Sequence, residues 1–253
     1  MQRIAGGERS HEVSSKQWFR STVGEQNYGR IEYFLRPKLR HGQPLNGQVH
    51  RQKMFRDIVG MFPPQAIVET GAFRGTSTSF FASMAVPVYA VEINPRFYGY
   101  CATRFRRQQQ SVTVSHGDSR SFLQALAVDP SVPKASVFFY LDAHWKEDLP
   151  LRGEVELIFS NWQHSVVMID DFCVPGTAYG FDAYGPDRTL DLDYLMPVLI
   201  AKKLAVYFPS VDVSQETGWK RGTAILCHDE ALMAAMDKLG SLKRFPLPAV
   251  KAA

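Results

Sequence analysis

Residues 66–77 read AIVETGAFRGTS and join an apolar run to a turn that contains two glycines. The apolar run fits a buried strand, and Thr76 and Ser77 suit the first turn of a helix. Glycine at such a strand-to-helix turn lets the backbone approach a ligand closely. Gly71 and Gly75 are four residues apart, so the dinucleotide-binding spacing GxGxxG is absent, which argues against an NAD enzyme.

Six more short apolar runs follow, separated by polar or helical stretches, as in βα units on a parallel sheet. They cover residues 86–92, 112–115, 136–141, 165–169, 204–208 and 223–227. With the first run they predict an α/β fold: a doubly wound, seven-stranded, Rossmann-like sheet. Only about fourteen residues join the last two runs, too few for a comfortable helical crossover, so we expect an antiparallel last strand.

The residues before this pattern read as helices broken by prolines. Within them, residues 46–60 place apolar side chains at helical spacing and stop at a glycine, which predicts an amphipathic helix packed on the core. We therefore divide the chain into an N-terminal helical extension, 1–60, and a main domain, 61–253, that belong to one folded unit.

Composition narrows the class of protein. The 253 residues are 45% hydrophobic and 21% charged, as in an ordinary globular protein. Residues 1–60 carry eleven Lys and Arg against five acids, but these charges are spread out, which favours a solvated surface over a nucleic-acid partner.

No run is long and apolar enough for a signal peptide or a membrane span, so we expect a cytoplasmic protein without a membrane partner. The three cysteines lack CxxC spacing and are expected to be reduced thiols.

Polar residues follow the second and third strands, at the edge where open α/β sheets bind ligands. Glu92 ends the second strand, where an acid accepts hydrogen bonds from ribose hydroxyls, and Ile93 follows it. Asp118 and Ser119 follow the third strand, where Asp118 or the adjoining backbone can meet an adenine amino group. Each acid alone could be a solvated strand end, but the same placement after successive strands predicts a nucleoside site.

Carboxylates also end the fourth and fifth strands, at Asp142 and at the pair Asp170 and Asp171. Three carboxylates at neighbouring strand ends repel one another unless a cation lies between them, and oxygen ligands suit magnesium, manganese or calcium. Such a cation holds a substrate oxygen and lowers its pKa. In the alternative interpretation, one acid of the pair caps the next turn while Asp142 touches the cofactor.

A loop rich in glycine and tyrosine, residues 174–188, separates the fifth strand from the next helix. Loops of this length and place often form lids or substrate walls. Its candidates for contact with a substrate are Tyr179, Tyr184 and Arg188, with Phe181 beside them. In the alternative interpretation, these aromatic side chains pack against other residues of the loop and do not contact a substrate.

The motif VETGAFRG, the acid after the second strand and GDS after the third together resemble the cofactor site of class I S-adenosylmethionine-dependent methyltransferases over roughly residues 49–227. The resemblance implies S-adenosyl-L-methionine as cofactor, with Glu69 at the methionine amine and Glu92 at the ribose. The cofactor-binding residues predicted in this way are Glu69, Thr70, Gly71, Ala72, Phe73, Gly75, Thr76, Ser77, Glu92, Ile93, Asp118, Ser119 and Asp142.

The downstream triplet IDD, residues 169–171, narrows the resemblance to the metal-dependent macrocin O-methyltransferase group, which acts on sugars and other natural products. It implies that Asp142, Asp170 and Asp171 ligate Mg²⁺ or Mn²⁺. Some members have an acid as the proposed base two residues beyond the first ligand. This chain has His144 there, which can take a proton near neutral pH or serve as a structural histidine beside Trp145. Members often associate, so a homo-oligomer is consistent with the group.

The sequence thus predicts a transferase that moves a methyl group from S-adenosylmethionine to a hydroxyl of a small acceptor, with Asp142 and His144 as catalytic residues. Two alternatives stay open. One is a metal-independent methyltransferase that uses His144 as base. The other is a catalytically inactive module that binds a nucleotide or a nucleic acid through the basic N-terminal segment.

Overall fold

The computed structural model describes residues 19–144, 148–185 and 187–247. Trp145, which the sequence analysis places beside His144, lies outside the described residues. Among the described residues, no helix combines the length and the apolar character that crossing a bilayer requires. Cys101 and Cys227 are buried, Cys173 is partly buried, and all three are free thiols.

The strands form one sheet in the order β3-β2-β1-β4-β5-β7-β6-β8. Strands β1 to β5 are parallel, whereas β7 runs antiparallel to both β5 and β6. The predicted Rossmann-like topology and antiparallel β7 are therefore confirmed. The strand bounds are β1 Ala66–Thr70, β2 Val88–Glu92, β3 Val112–His116, β4 Ala135–Leu141, β5 His164–Ile169, β6 Ala205–Pro209, β7 Ala224–Cys227 and β8 Leu242–Phe245.

The predicted count of seven strands is wrong, because β8 pairs antiparallel with β6 and adds an eighth. Its sequence, LKRF, has only one partly buried apolar residue at each end and two exposed basic residues between them. A four-residue edge strand of this kind lacks the apolar run by which the other strands are recognised. Its pairing depends on a chain segment more than thirty residues earlier.

Helices cover both faces of the sheet, as expected of a doubly wound fold. Asn94, Asp118, Asp191 and Asp229 are N-caps whose side chains accept hydrogen bonds from backbone N–H groups of the first turn. The helix bounds are α1 Glu25–Leu35, α2 Val49–Met61, α3 Thr76–Ala82, α4 Pro95–Gln108, α5 Ser119–Val128, α6 Leu151–Asn161, α7 Leu192–Ala201 and α8 Glu230–Met236, with short 3-10 turns at Pro37–His41, Leu45–Gly47 and Val213–Gln215.

Helix α2 is the amphipathic helix that the sequence predicts between residues 46 and 60. It begins at Val49 because the preceding residues form a 3-10 turn in which Asn46 has a left-handed φ of 60°. Met54, Phe55 and Ile58 are buried against the sheet, where they pack with side chains of β1 and β4. The N-terminal extension thus contributes directly to the core.

Helix α1 packs so closely on α4 that the two backbones are in contact at two glycines. A Cβ added at Gly29 would lie 1.8 Å from the carbonyl oxygen of Arg96, and one added at Gly99 would lie 2.1 Å from that of Gln26. Beside the crossing, buried Glu32 of α1 accepts hydrogen bonds from the guanidinium of Arg96. Backbone contact and a buried ion pair therefore hold α1 on the main domain.

We expect Gly99→Ala to lower the free energy of unfolding by about 1–3 kcal/mol, the usual cost of overpacking, because its methyl group would collide with backbone. Gly60→Ala in α2 is the matched control, because a Cβ there meets no atom within 4 Å. It should stabilise the helix by about 0.5–1 kcal/mol. Urea unfolding measures both effects, and equal stability of the two variants would contradict the close crossing.

Candidate functional site

A cavity of about 430 Å³ opens at the carboxyl ends of the parallel strands. Small-molecule sites usually measure about 300–1,000 Å³, so this volume suits a ligand of nucleoside size. The predicted site residues that line the cavity are Gly71, Phe73, Glu92, Ile93, Asp118, Ser119, Asp142, His144 and Asp171. The structure adds lining residues that the sequence analysis did not name: Val91, Asn94, Phe97, Gly117, Ala143, Asp148, Pro150 and Asp182.

Gly71 makes the turn after β1 and allows its close contact with β4. Its φ is +84°, and an added Cβ would lie 2.2 Å from the carbonyl oxygen of Asp142. The N–H groups of Gly71 and Ala72 both donate to the carbonyl oxygen of Val91, at 3.0 Å. Because a side chain at residue 71 would collide with backbone, only glycine fits this junction.

Glu92 joins two loops beneath the cavity. Its carboxylate accepts the backbone N–H of Phe73 at 2.7 Å and that of Asn94 at 2.8 Å. Burial raises the pKa of Glu92, and these backbone hydrogen bonds partly offset the rise. Each carboxylate oxygen can accept a second hydrogen bond, so Glu92 keeps acceptor capacity for a ligand in the cavity.

One wall of the cavity is aromatic and its margin is cationic. The rings of Phe73 and Phe97 meet edge to face with centroids 4.3 Å apart, and the guanidinium of Arg74 lies over both rings. Ile93, on the same wall, is 62% exposed. Phe97 could not be predicted as a cavity residue because it belongs to no motif; it lies five residues after Glu92, in the first turn of α4.

Several predicted cofactor residues support the turn instead of lining the cavity. Ser77 Oγ accepts the N–H of Leu45, and Gly75 packs under the ring of Phe105. Glu69 accepts a hydrogen bond from Thr78, and burial raises its pKa to about 8. The others that lie outside the lining are Thr70, Ala72 and Thr76.

His144 lies among three carboxylates at the other end of the cavity. Its Nε2 is 3.6 Å from Asp142 Oδ1, 3.5 Å from Asp171 Oδ2 and 3.7 Å from Asp182 Oδ2. These distances exceed the usual hydrogen-bond limit of about 3.2 Å. Two ligand atoms bound to the same cation are roughly 3.0–3.5 Å apart when each ligand bond is roughly 2.1 Å long. The distances from His144 Nε2 to the three carboxylates are close to that separation. Donor atoms of Asp142, His144 and Asp171 all lie within 4.8 Å of one another.

Asp170, the third predicted metal ligand, lies outside this group. Its carboxylate accepts hydrogen bonds from buried Arg51, from Asn46 at 3.0 and 3.2 Å, and from the hydroxyl of Tyr140 at 2.5 Å. Among the described residues, the acids and histidine that could hold a metal ion are therefore Asp142, His144 and Asp171, and the predicted ligand Asp170 does not belong to that group. The reason lies in the tertiary structure, because α2 places the guanidinium of Arg51 against Asp170 at the end of β5.

Arg51 could have been noticed in the sequence. Positions 51, 54, 55 and 58 form one stripe of α2, and Arg51 is the charged member of an otherwise apolar set. A charge in such a stripe is buried at a large cost unless a partner of opposite sign meets it. Desolvation alone lowers the pKa of Arg51, but the charges of Asp170, Tyr140 and Asp171 and the hydrogen bond to Asp170 together outweigh it and raise the pKa.

A second guanidinium, that of Arg221 before β7, grips the acids that flank His144. Its Nε donates to Asp171 Oδ1 at 2.6 Å, and its Nη2 donates to Asp182. Although burial acts in the opposite direction, the contacts with His144 and Arg221 lower the pKa of Asp171 to about 2. Desolvation, with the charges of Asp170 and Asp171, holds the pKa of Asp142 well above its usual value. The acidic edge therefore contains one carboxyl group that stays ionised, that of Asp171, and one that favours a bound proton or cation, that of Asp142.

The three predicted substrate residues of the long loop have different positions. Tyr184 is beside the acids: its hydroxyl donates to Asp182 Oδ2 at 2.5 Å, and its ring centroid lies 6.5 Å from that of His144. Tyr179 is a core residue whose hydroxyl donates to the carbonyl oxygen of Val211. Arg188 is exposed, and none of the three residues is among those that line the cavity.

No family model matches the sequence, and no curated protein matches it closely enough to count as a relative. Solved structures do match it. The O-methyltransferase TomG from Streptomyces achromogenes, involved in tomaymycin synthesis and solved with SAM, is 14% identical with a TM-score of 0.55, over 88% of this chain and 99% of its own. An O-methyltransferase from Bacillus cereus, solved with SAH, is 14% identical with a TM-score of 0.56, over 85% and 97%.

This chain has the methyltransferase fold. A SAM-dependent methyltransferase from Aquifex aeolicus also matches, with 12% identity and a TM-score of 0.50, over 75% of this chain and 94% of its own. At such identities the likeness establishes the Rossmann-like methyltransferase architecture. The activity of a protein with this fold depends on the residues of its site.

We expect the raised pKa of Glu69 to make the ligand-free protein less stable as pH rises from about 4.5 to about 8. In this range the unfolded chain has released the Glu69 proton and the folded protein still holds it. Stability therefore falls by about 1.4 kcal/mol per pH unit from this residue. Glu69→Gln should remove that slope in urea unfolding, whereas exposed Glu156→Gln should keep it. A variant slope equal to that of the wild type would contradict the shift.

Proposed function

We propose that the protein is an S-adenosylmethionine-dependent O-methyltransferase. One observation carries the proposal: a single cavity is lined both by Glu92, Gly71 and Asp118 and by Asp142, His144 and Asp171. Residues suited to a nucleoside and an acidic group that can hold an acceptor oxygen therefore share one space. Such an arrangement brings the methyl donor and the acceptor together in the orientation that transfer requires.

The cavity residues fit the cofactor by their chemistry. Glu92 would accept hydrogen bonds from the ribose hydroxyls, and Asp118 with Ser119 would lie at the adenine end, as the order of the strands indicates. The backbone at Gly71 provides the close approach that the methionine portion needs. Phe73 and Phe97 would cover the apolar faces of the ligand. The solved neighbours TomG and the Bacillus cereus protein hold SAM and SAH, respectively, which supports this choice.

We propose further that Asp142, His144 and Asp171 hold a divalent cation, Mg²⁺ or Mn²⁺. Two carboxylates and one imidazole form a suitable donor set, and the imidazole favours Mn²⁺ over Mg²⁺. A bound cation would orient the acceptor hydroxyl and lower its pKa. Arg221 keeps Asp171 ionised and oriented, while Tyr184 and Arg221 together hold Asp182 beside His144.

Metal-independent transfer is the second candidate, and one contact favours it. Arg221 already partners Asp171, so part of the negative charge is balanced without a cation. In that case His144 removes the proton of the acceptor hydroxyl, and the flanking carboxylates stabilise the imidazolium that forms. Sensitivity of methylation to a strong chelator separates the two candidates.

For the acceptor we propose a small hydroxylated molecule such as a sugar or another natural product. The resemblance to the macrocin group supports this class, and the described involvement of TomG in tomaymycin synthesis agrees with it. Tyr184 is the aromatic residue of the long loop that lies nearest to His144, so it is the candidate for contact with the acceptor.

The cofactor assignment predicts that Glu92→Gln weakens SAH binding about tenfold or more, since a hydrogen bond to a charged group contributes about 1.5–3 kcal/mol. Isothermal titration calorimetry of SAH measures the effect. Exposed Glu156→Gln on α6 is the control and should bind as the wild type does. Wild-type affinity in the Glu92 variant would overturn the placement of the ribose.

The cation assignment predicts that Asp171→Asn loses Mn²⁺ binding while its affinity for SAH stays within about threefold of the wild-type value. Electron paramagnetic resonance of free Mn²⁺ gives the metal affinity. Asp193→Asn, an exposed acid on α7, should change neither value. Methyl transfer from labelled S-adenosylmethionine to a set of hydroxylated acceptors, with and without chelator, then tests the activity. Chelator-resistant turnover would favour His144 as base, and absence of turnover together with absence of SAH binding would overturn the proposed function.

A further inference from the structure

Arg51 is a buried charge that does not line the cavity. Its side chain is 1% exposed, and its guanidinium makes three kinds of contact: with Asp170, with the carbonyl oxygen of Arg221, and with that of Gly222 at 2.9 Å. Burial of a guanidinium is costly unless partners surround it. The partners here come from the end of β5 and from the segment before β7, so Arg51 connects α2 to both.

Asp170, the main partner of Arg51, is saturated with donors. Its Oδ1 accepts from Arg51, from Asn46 and from the backbone N–H of Asp171, and its Oδ2 accepts from Tyr140 and from Asn46. A carboxylate offers roughly four acceptor sites, so little capacity is left for a further ligand. Asp170 is therefore an anchor within the protein.

The anchor determines the backbone of the next residue. Asp171 has a left-handed φ of 52°, a conformation that is unfavourable for residues other than glycine and needs support from the surroundings. Its N–H donates to Asp170 Oδ1 at 2.7 Å, and its carbonyl oxygen accepts the N–H of Asp182 at 3.0 Å. In this conformation Asp171 Oδ2 lies 3.5 Å from His144 Nε2.

Arg51 also acts on Asp171 from the opposite side, through Arg221. The carbonyl oxygen of Arg221 accepts from Arg51 and from Gln48, and the N–H of Arg221 donates to Gln48 Oε1 at 2.7 Å. The start of α2 thus holds the backbone of Arg221, whose side chain grips Asp171 and Asp182. Both supports of the Asp171 carboxylate depend on residues 48–51.

We propose that Arg51 is a positioning residue that removes Asp170 from the acidic edge and, through Asp170 and Arg221, orients Asp171 as a ligand of the cation. The inference rests on the proposed cation site. It adds a reason why the adjacent residues Asp170 and Asp171 have different roles. Asp170 balances the buried guanidinium, and Asp171 faces the cavity with His144.

A merely structural role predicts a different outcome. Arg51 could serve only to fasten α2 to the sheet, as Arg96 and Glu32 fasten α1 to α4. In the Arg96 pair the side chain of Glu32 is 1% exposed and that of Arg96 is 17% exposed, and the pair joins the N-terminal extension to the main domain, but none of its contacts reaches His144 or Asp171. It is therefore the matched control for loss of a buried Arg–carboxylate pair.

The test compares the wild type with Arg51→Lys, with the double variant Arg51→Gln/Asp170→Asn, and with the control Glu32→Gln/Arg96→Gln. Each double change removes both charges of its pair, so the Arg51 variant leaves no unpaired charge in the interior, and in the control the other arginines near Glu32, Arg36 and Arg74, remain in contact with solvent. Thermal unfolding measures stability, calorimetry measures SAH affinity, and electron paramagnetic resonance measures Mn²⁺ affinity.

We expect Mn²⁺ binding to weaken tenfold or more in the Arg51→Gln/Asp170→Asn variant and severalfold in Arg51→Lys, with SAH affinity within threefold of the wild-type value. A lysine can pair with Asp170 but cannot also hold two carbonyl oxygens in the geometry of a guanidinium. The control variant should lose stability and bind Mn²⁺ as the wild type does.

Three outcomes overturn the inference. If Arg51→Lys binds Mn²⁺ as well as or better than the wild type while the double variant loses it, Asp170 itself is a ligand. If SAH and Mn²⁺ affinities fall together, or if the control loses Mn²⁺ equally, Arg51 is a general structural residue. If the wild type itself binds no Mn²⁺, the proposed cation site fails and the inference fails with it, a result distinct from the other two.

Discussion

The close contact between Gly71 and the backbone of Asp142 is the constraint on which the site depends. Strands β1 and β4 are neighbours in the sheet, and the turn after β1 presses on the end of β4 so closely that an added Cβ would lie 2.2 Å from a carbonyl oxygen. The glycine turn after β1 and the first acid of the acidic edge are therefore adjacent, although about seventy residues separate them in the chain. A single cavity with two chemically different ends follows from that adjacency.

An edge that contains four carboxylates is tolerated because arginines from distant segments balance part of the charge. Arg51 of α2 meets Asp170, and Arg221 meets Asp171 and Asp182. The buried Arg51–Asp170 pair contributes little net stability, because desolvation offsets much of the attraction, and the pairs of Arg221 are partly exposed to solvent. Their main effect is on geometry: they determine which carboxylate oxygens face the cavity and which face the protein interior. The N-terminal extension, which contributes Arg51, is thereby part of the site.

The strands and their polar ends could be predicted because each is encoded locally. The apolar runs predicted β1 to β7 to within about two residues, and Gly71, Glu92, Asp118 and Asp142 lie at the ends of those runs or within three residues after them and line one cavity. Strand β8 could not be found in this way, because LKRF carries no apolar pattern and pairs only once β6 is in place. The roles of Asp170 and Tyr179 also depended on distant partners, Arg51 for the first and Val211 for the second.

The sequence by itself determined the α/β architecture, the antiparallel β7 and the gathering of acids at one edge of the sheet, because hydrophobic periodicity and the lengths of the connections between strands are local properties. Only the tertiary structure decided that Asp171, and not Asp170, faces His144. That arrangement depends on Arg51 of α2, which lies more than one hundred residues earlier in the chain and pairs with Asp170. It also depends on the left-handed backbone of Asp171, which a hydrogen bond from its N–H to Asp170 supports. Partners so far apart in the chain leave no periodic signal, since their meeting is a consequence of packing.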